Sequence, residues 1–199
     1  MRAAIILASA SPARAQILRA AGVEAEIQPA RLDEAAIKAA LVAACAPPRD
    51  VADKLAEMKA LRISARNPGR LVLGADQVLV HDGWLYDKPA DLDAARVQLR
   101  ALRGRSHQLL SAAVIALDGT VVWRHVGQAE LVMRPFSDAF LNTYLIRMGA
   151  AVTGTVGCYR LEGLGSQLFS SVDGDYFTIL GLPLLEVLGY LRAQEVLDE

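Results

Sequence analysis

Leu71-Val72-Leu73-Gly74-Ala75-Asp76-Gln77-Val78-Leu79-Val80 is an apolar run interrupted at its middle by two polar residues. Its length and its Val and Leu content describe a strand, and apolar residues on both sides of the interruption describe one covered on both faces. An ionised carboxylate buried there without partners would cost on the order of several kcal/mol. Asp76 therefore requires a cation nearby. Gly74 and Ala75 have almost no side chain, so another backbone or a ligand can approach closely just before that carboxylate. Taken alone, Asp76 reads equally well as a strand-end residue capping a turn; the rest of the chain decides.

Upstream, Asp50 to Arg66 reads as a helix with Val51, Leu55, Met58 and Ile63 along its buried stripe and Lys54, Glu57 and Arg62 more exposed. Lys59 lies at the edge of that stripe, where a snorkelling or solvated lysine is expected. Downstream, His81-Asp82-Gly83 forms a hairpin turn and Trp84-Leu85-Tyr86 a return strand, which places Lys88 at a strand exit beside the strand of Asp76.

At the start of the chain, residues 3 to 8 read as a buried strand that stops at Ser9-Ala10-Ser11-Pro12-Ala13-Arg14. Ser11 is placed to cap a helix with Pro12 at its first position, Ile17 and Leu18 on its buried side and Gly22 at its stop. A hydroxyl-bearing loop feeding a helix N-terminus is an anion site in waiting, since free N–H groups and the positive end of the dipole face the loop; Arg14 adds charge. Glu24 to Pro29 reads as a strand, and Asp33-Glu34 opens a helix that runs to about Ala46 and breaks at Pro47-Pro48. Asp91 to Leu102 is an amphipathic helix stopping at Gly104. Ser106 to Leu117 and Thr120 to Met133 are two strands joined by Asp118-Gly119, and Ser137 caps a helix that ends at Gly149. Gln167 to Val172 and Tyr176 to Leu180, around Asp173-Gly174, suggest a third hairpin before Pro183 opens a final helix. Hairpins interleaved with helices imply an α/β fold with a mixed sheet.

Composition narrows the function. The 199 residues suffice for one domain, residues 1–199, with a core that needs no staples. Net charge is -1, with basic and acidic residues interspersed, which argues against a nucleic-acid or polybasic membrane surface. No apolar stretch approaches the ~20 residues of a membrane helix, and the opening run meets Ser9 too soon for a secretory signal. Two cysteines in no metal-like spacing, Cys45 and Cys158, fit a reducing cytoplasm. Phosphate-loop, dinucleotide, zinc-protease and nucleophile-elbow motifs are absent. The three histidines are scattered and read as satisfied or solvated, and the aromatic residues, which show no spacing for base stacking, read as core. What remains is Ser9, Ser11, Arg14, Glu34, Lys59, Asp76 and Lys88, acids and bases at strand and helix ends. A triphosphate needs cations and N–H donors on its oxygens, and a divalent cation needs hard carboxylate oxygens, so a metal–triphosphate complex would use them all.

In that order along the chain these residues resemble the Maf nucleoside triphosphate pyrophosphatases. Leu7 to Pro12 followed by Arg14 is similar to the family's opening loop, Asp33-Glu34 to its acidic pair, Lys59-Ala60 to its lysine helix and Gly74-Ala75-Asp76 to its catalytic strand. Lys88-Pro89, Gly157-Cys158-Tyr159, Glu162-Gly163 and Gly181-Leu182-Pro183-Leu184 complete the match. The resemblance implies an elongated, twisted mixed sheet flanked by helices, two lobes around a central cleft, frequent pairing as a homodimer, and dependence on Mg²⁺ or Mn²⁺. It implies hydrolysis of a nucleoside triphosphate to the monophosphate and pyrophosphate, removing modified nucleotides. Asp76 would activate water, Glu34 would share the metal with it, and Lys59, Arg14, Lys88 and the Ser9 to Ser11 loop would hold phosphates. Ala13, Gln77 and Glu162 stand where the thymidine- and uridine-preferring branch has Arg, Thr and Gln. Gln77 and Glu162 instead resemble the 7-methyl-GTP branch, although that branch usually has Trp where Ala13 stands. An ionised Glu162 can accept from the N1–H and exocyclic N–H₂ of guanine and opposes the carbonyls of uracil, so the lean is to a guanine-type base. The rival readings are a dTTP/UTP pyrophosphatase and a nucleotide-binding regulator of cell division without turnover.

Overall fold

The computed structural model describes residues 5–198, so the part of the expected first strand before Ile5 lies outside them. β1 (Ile5–Leu7) leads through the Ser9 to Ser11 loop into α1 (Pro12–Ala20), with Pro12 in its first turn and Ser11 Oγ accepting from the Arg14 N–H at 3.5 Å. The helix ends at the Ala21 cap, and Gly22 follows at φ +77°, a conformation that suits a residue without Cβ. β2 (Ala25–Ile27) runs parallel to β1. The next strand, β3 (Val72–His81), does the same on the other side, with Ile6 opposite Val72 and Leu7 opposite Leu73. Between them lie α2 (Glu34–Ala43), capped by Asp33, and α3 (Pro48–Ser64), which begins two residues before Asp50 because Pro48 is already compatible with a first turn.

β4 (Trp84–Tyr86) folds back antiparallel on β3 through Asp82-Gly83, both at positive φ. α4 (Leu92–Leu102) starts at the Asp91 cap. β5 (Ser106–Leu117) and β6 (Thr120–Met133) have the expected bounds; Asp118 at φ 50° and Gly119 at φ 75° supply the positive-φ pair that a tight hairpin requires. α5 (Asp138–Met148) is followed by three 3₁₀ turns at Gly149–Gly154, Val156–Cys158 and Leu164–Leu168.

The third hairpin expected around Asp173-Gly174 does not form. β7 (Phe169–Gly174) pairs antiparallel with β6 instead, and Tyr176–Ile179 is a short helix, α6. Asp175 is the reason: its carboxylate accepts from the Thr178 N–H at 2.6 Å and starts a helical turn where a second strand would have to begin. α7 (Leu184–Ala193) closes the described chain after Pro183. The result is a mixed seven-stranded sheet in the order β2-β1-β3-β5-β6-β7, with β4 also on β3, flanked by helices.

The chain divides into two compact units, one of residues 1–77, 110–127 and 175–199 and a second of 78–109 and 128–174. The first has its core in Ile5, Leu7, Leu18, Leu73, Ile115 and Leu191, all essentially inaccessible. Each such side chain contributes roughly 2 kcal/mol by leaving water. The second buries Leu99, Leu102, Leu131, Leu141 and Tyr144. The expectation that the aromatic residues are core fails at Trp84, which is 76% exposed on β4. No helix among the described residues is long and apolar enough to cross a membrane.

Candidate active site

β3 is buried on both faces, as its apolar run requires, and Gly74 has a specific task in it. A Cβ there would lie 2.2 Å from the Ala56 carbonyl oxygen and 2.6 Å from the Ala60 nitrogen. The backbone of α3 thus rests directly on β3, made possible by the buried small residues Ala52, Ala56 and Ala60. This contact turns Lys59 inward. The edge position expected for Lys59 is corrected: Lys59 is 6% exposed, while Met58 is only partly buried.

Lys59 Nζ lies 2.7 Å from Asp76 Oδ1 and 2.9 Å from Glu34 Oε1. Asp76 has the cation that its position demands. It is itself 6% exposed, whereas the Glu34 side chain, in the first turn of α2, is half-exposed. Burial pushes the Asp76 carboxyl above its ordinary range; Lys59 and then Arg14 oppose that rise, and the charge of Glu34 adds to it.

Arg14, buried on α1, uses Nε to donate to the Gly181 carbonyl at 2.7 Å and Nη1 to donate to Ser9 Oγ at 3.1 Å and the Ala75 carbonyl at 3.0 Å. Burial lowers its pKa, and Asp76 and Glu34 counter that. Ser9 Oγ also accepts from the Ser11 N–H at 3.3 Å, which tightens the loop ahead of α1. Ala13 is partly buried in the first turn of the same helix.

Gln77 follows Asp76 on β3. Its Nε2 donates to Ser111 Oγ at 3.0 Å and to the carbonyls of Ile179 at 3.0 Å and Thr178 at 3.2 Å, and the Ser111 hydroxyl donates to the Thr178 carbonyl at 2.7 Å. Both amide hydrogens are thereby engaged, and Oε1 is the atom Gln77 has to offer. Ser111 and Thr178 were not among the residues singled out from sequence, and Gly181 entered only as part of a closing motif, not as the acceptor for Arg14. Ser111 had a signal of the same kind as Asp76: a polar residue interrupting the apolar run from Leu109 to Leu117.

The first unit therefore holds Ser9, Ser11, Ala13, Arg14, Glu34, Lys59, Asp76 and Gln77. Lys88, exposed just beyond β4, and Glu162, exposed between two 3₁₀ turns, belong to the second. No group of three or more His, Cys, Asp and Glu residues among those described is arranged to hold a metal by itself. Asp76 and Glu34 nevertheless fit a magnesium-like ion: they are two hard oxygen donors already gathered around one positive charge, and such ions commonly use one or two carboxylates and complete their shell with substrate phosphates and water.

The family profile described as Maf-like protein matches residues 4–194. A nucleoside triphosphate pyrophosphatase of Ruegeria sp. (strain TM1040) is 51% identical over 195 residues, 98% of each chain. One of Paramagnetospirillum magneticum (strain ATCC 700264 / AMB-1) is 54% identical over 187 residues, 94% of this chain and 96% of the relative. A 7-methyl-GTP pyrophosphatase of Brucella abortus biovar 1 (strain 9-941) is 46% identical over 198 residues, the full length of both.

Proposed function

We infer that this chain, which belongs to the Maf family, is a nucleoside triphosphate pyrophosphatase. It adds water across the anhydride between the α- and β-phosphates to release a nucleoside monophosphate and pyrophosphate. The observation that carries the reading is the buried Lys59 ammonium shared by Asp76 and Glu34 in a chain so similar to proteins of that name.

Asp76 accepts the proton of the attacking water; a carboxylate with a raised pKa is a stronger base than an ordinary one. Lys59 keeps it ionised and oriented until the water is in place. A divalent cation, Mg²⁺ or Mn²⁺, held by Asp76 and Glu34 together with phosphate oxygens would supply Lewis-acid charge at the reacting phosphate. The N–H groups at the start of α1, the Ser9 and Ser11 hydroxyls, the remaining Arg14 nitrogen, Lys59 and Lys88 hold the phosphates and offset charge on the departing pyrophosphate.

For the base, the reading is guanine, with 7-methyl-GTP as the leading substrate. Gln77 has only its Oε1 acceptor to spare and Glu162 is acceptor-only when ionised, so both suit a base edge that donates. The Brucella relative carries the corresponding name. Ala13 provides no ring to stack on, so recognition rests on the hydrogen-bonding edge.

The test is a pyrophosphate-release panel with Mg²⁺ or Mn²⁺ over 7-methyl-GTP, GTP, dTTP, UTP and CTP, run beside Asp76→Asn. The expected outcome is preference for 7-methyl-GTP and a loss of at least about 10³-fold in kcat in the variant. Preference for dTTP or UTP would discard the base reading while keeping the catalytic one. Near-full activity of Asp76→Asn would remove Asp76 from its role, and nucleotide binding without turnover on any substrate would make the chain a regulator.

A further inference from the structure

The second unit contains a shallow cavity of about 310 Å³ lined by His81, Asp82, Trp84, Tyr86, Arg100 and Arg105, none of which the proposed chemistry uses. Trp84 and Tyr86 are two apart on β4 and so project to the same face of that strand. An indole 76% exposed beside a phenol and two arginines is an unusual use of surface, because Trp is a residue that folding normally covers.

The polar groups around it are loosely held. The Arg105 side chain is 62% exposed and reaches Asp82 Oδ2 only at 3.4 Å; Arg100, 47% exposed, reaches Asp138 Oδ1 at the same distance. Such long contacts leave both guanidiniums with unspent donors.

His81 fixes what the other side of the cavity requires. Its Nδ1 lies 2.8 Å from the Ser106 carbonyl, which can only accept, so Nδ1 carries the hydrogen. In the neutral ring Nε2 is then an acceptor, and it stands 3.4 Å from Asp82 Oδ2, another acceptor. Asp82 Oδ2 also takes the long contact from Arg105, and with the ring neutral the two acceptors suit a partner that brings two donors.

We propose that this cavity binds a guanine mononucleotide. The base stacks on Trp84, its N1–H and exocyclic N–H₂ donate to Asp82 and His81 Nε2, and its phosphate takes the free donors of Arg100 and Arg105. A cavity of this size is at the small end of ligand sites and suits a mononucleotide. Uracil is a poor match: its single N3–H is flanked by two carbonyls that would face the same acceptors. None of its lining residues is among those assigned to the catalytic chemistry, and the proposal stands whether or not the chain hydrolyses guanine triphosphates.

Titration of the full chain by calorimetry with GMP, UMP, guanosine and inorganic phosphate tests it, in the wild type and in Trp84→Ala, Arg105→Ala and Asp82→Asn. These three positions are exposed, and an unchanged thermal melt establishes that each variant is folded. The expected result is a GMP site that weakens at least about tenfold in Trp84→Ala and in Arg105→Ala. GMP should exceed UMP by at least about fivefold in the wild type, with the two converging in Asp82→Asn. GMP binding that none of the three substitutions alters would place all of it elsewhere and overturn the proposal. So would inorganic phosphate binding as tightly as GMP, which would mark a bare anion site. A dimer that dissociates in Trp84→Ala, with no GMP site lost, would assign the surface to a second copy of the chain.

Discussion

In the first unit Lys59 and Asp76 are each 6% exposed and charged; in the second His107 is 2% exposed, Tyr159 4% and Cys158 fully covered, and all three are neutral. The burial is alike and the solutions are opposite. The first unit sets charge against charge, with Lys59 between Asp76 and Glu34. The second keeps protons where they leave no charge. Burial pushes the Cys158 thiol up to about 12, drives the Tyr159 hydroxyl well above its ordinary value and pulls the His107 imidazole down to about 4. Its members then satisfy one another: His107 Nε2 meets the Tyr159 hydroxyl at 2.7 Å, the Tyr144 hydroxyl donates to the Cys158 carbonyl at 2.8 Å, and the Cys158 thiol donates to Gln98 Oε1 at 2.6 Å. A paired charge fails when its partner is removed; a neutral group fails when a proton is forced on it. Chemistry on a triphosphate needs the first kind, and a unit held together by packing can use the second.

The sharpest way to break this comparison is Lys59→Met. Two carboxylates lose their common cation, one of them in a buried strand, and the expected cost is about 3–5 kcal/mol by urea denaturation, together with loss of turnover. The double substitution Lys59→Met, Asp76→Leu should regain most of that stability and none of the activity, because no uncompensated charge stays buried. If the double variant is as unstable as the single one, packing of α3 on β3 is what Lys59 supports, and the pairing account of the first unit is wrong.

The second unit should instead fail by acidification. The folded-state pKa of His107 lies below its ordinary 6.5, so protons bind more readily to the unfolded chain, and stability present above pH 6.5 is lost as the pH falls toward about 4. A difference of that size corresponds to about 3 kcal/mol at its limit. His107 Nδ1 has no hydrogen-bond partner among the described residues, so the protonated ring would carry an N–H there with no acceptor. Replacing both members of the contact, His107→Phe with Tyr159→Phe, removes the titrating group without orphaning the hydroxyl. Urea midpoints measured from pH 7.5 to 4.5 should fall less steeply in the double variant. Parallel curves would show that His107 does not carry the acid sensitivity.

Much of this was readable from the chain, for identifiable reasons. Hairpins at Asp82-Gly83 and Asp118-Gly119 follow from the positive φ that those residues tolerate, and an apolar run carrying Asp76 had to be a strand with a cation beside it. Asp173-Gly174 carries the same turn signal and misled, because Asp175 caps a helix with hydrogen bonds that a turn dipeptide does not reveal. Val51, Leu55 and Ile63 are buried as the stripe requires, but the buried face of α3 is wider than its large apolar residues mark and takes in Lys59. The closer contact is made by Ala52, Ala56 and Ala60, whose smallness is what admits β3 at Gly74. The carbonyls of Thr178, Ile179 and Gly181 that hold Gln77 and Arg14 are backbone groups, and no side-chain pattern announces them.

The smallest expected effect lies on α3 itself and sharpens the contrast from within one helix. Arg124 on β6 reaches Asp53 Oδ2 at 2.5 Å and Glu57 Oε2 at 2.8 Å, a fork as well made on paper as that of Lys59. Its side chain is 47% exposed, however, so water and counterions replace the guanidinium when it goes, and Lys54 remains 2.5 Å from Glu57. Arg124→Gln should therefore cost less than about 1 kcal/mol. That cost should shrink further between about 0.05 and 0.5 M salt, as exposed charges are screened. The penalty of Lys59→Met should hardly respond to the same change, since salt does not enter a site 6% exposed. A salt-insensitive loss above about 2 kcal/mol in Arg124→Gln would mean that geometry and not burial sets the value of a pair in this fold. The division between the units would then have to be redrawn around how each cation is held.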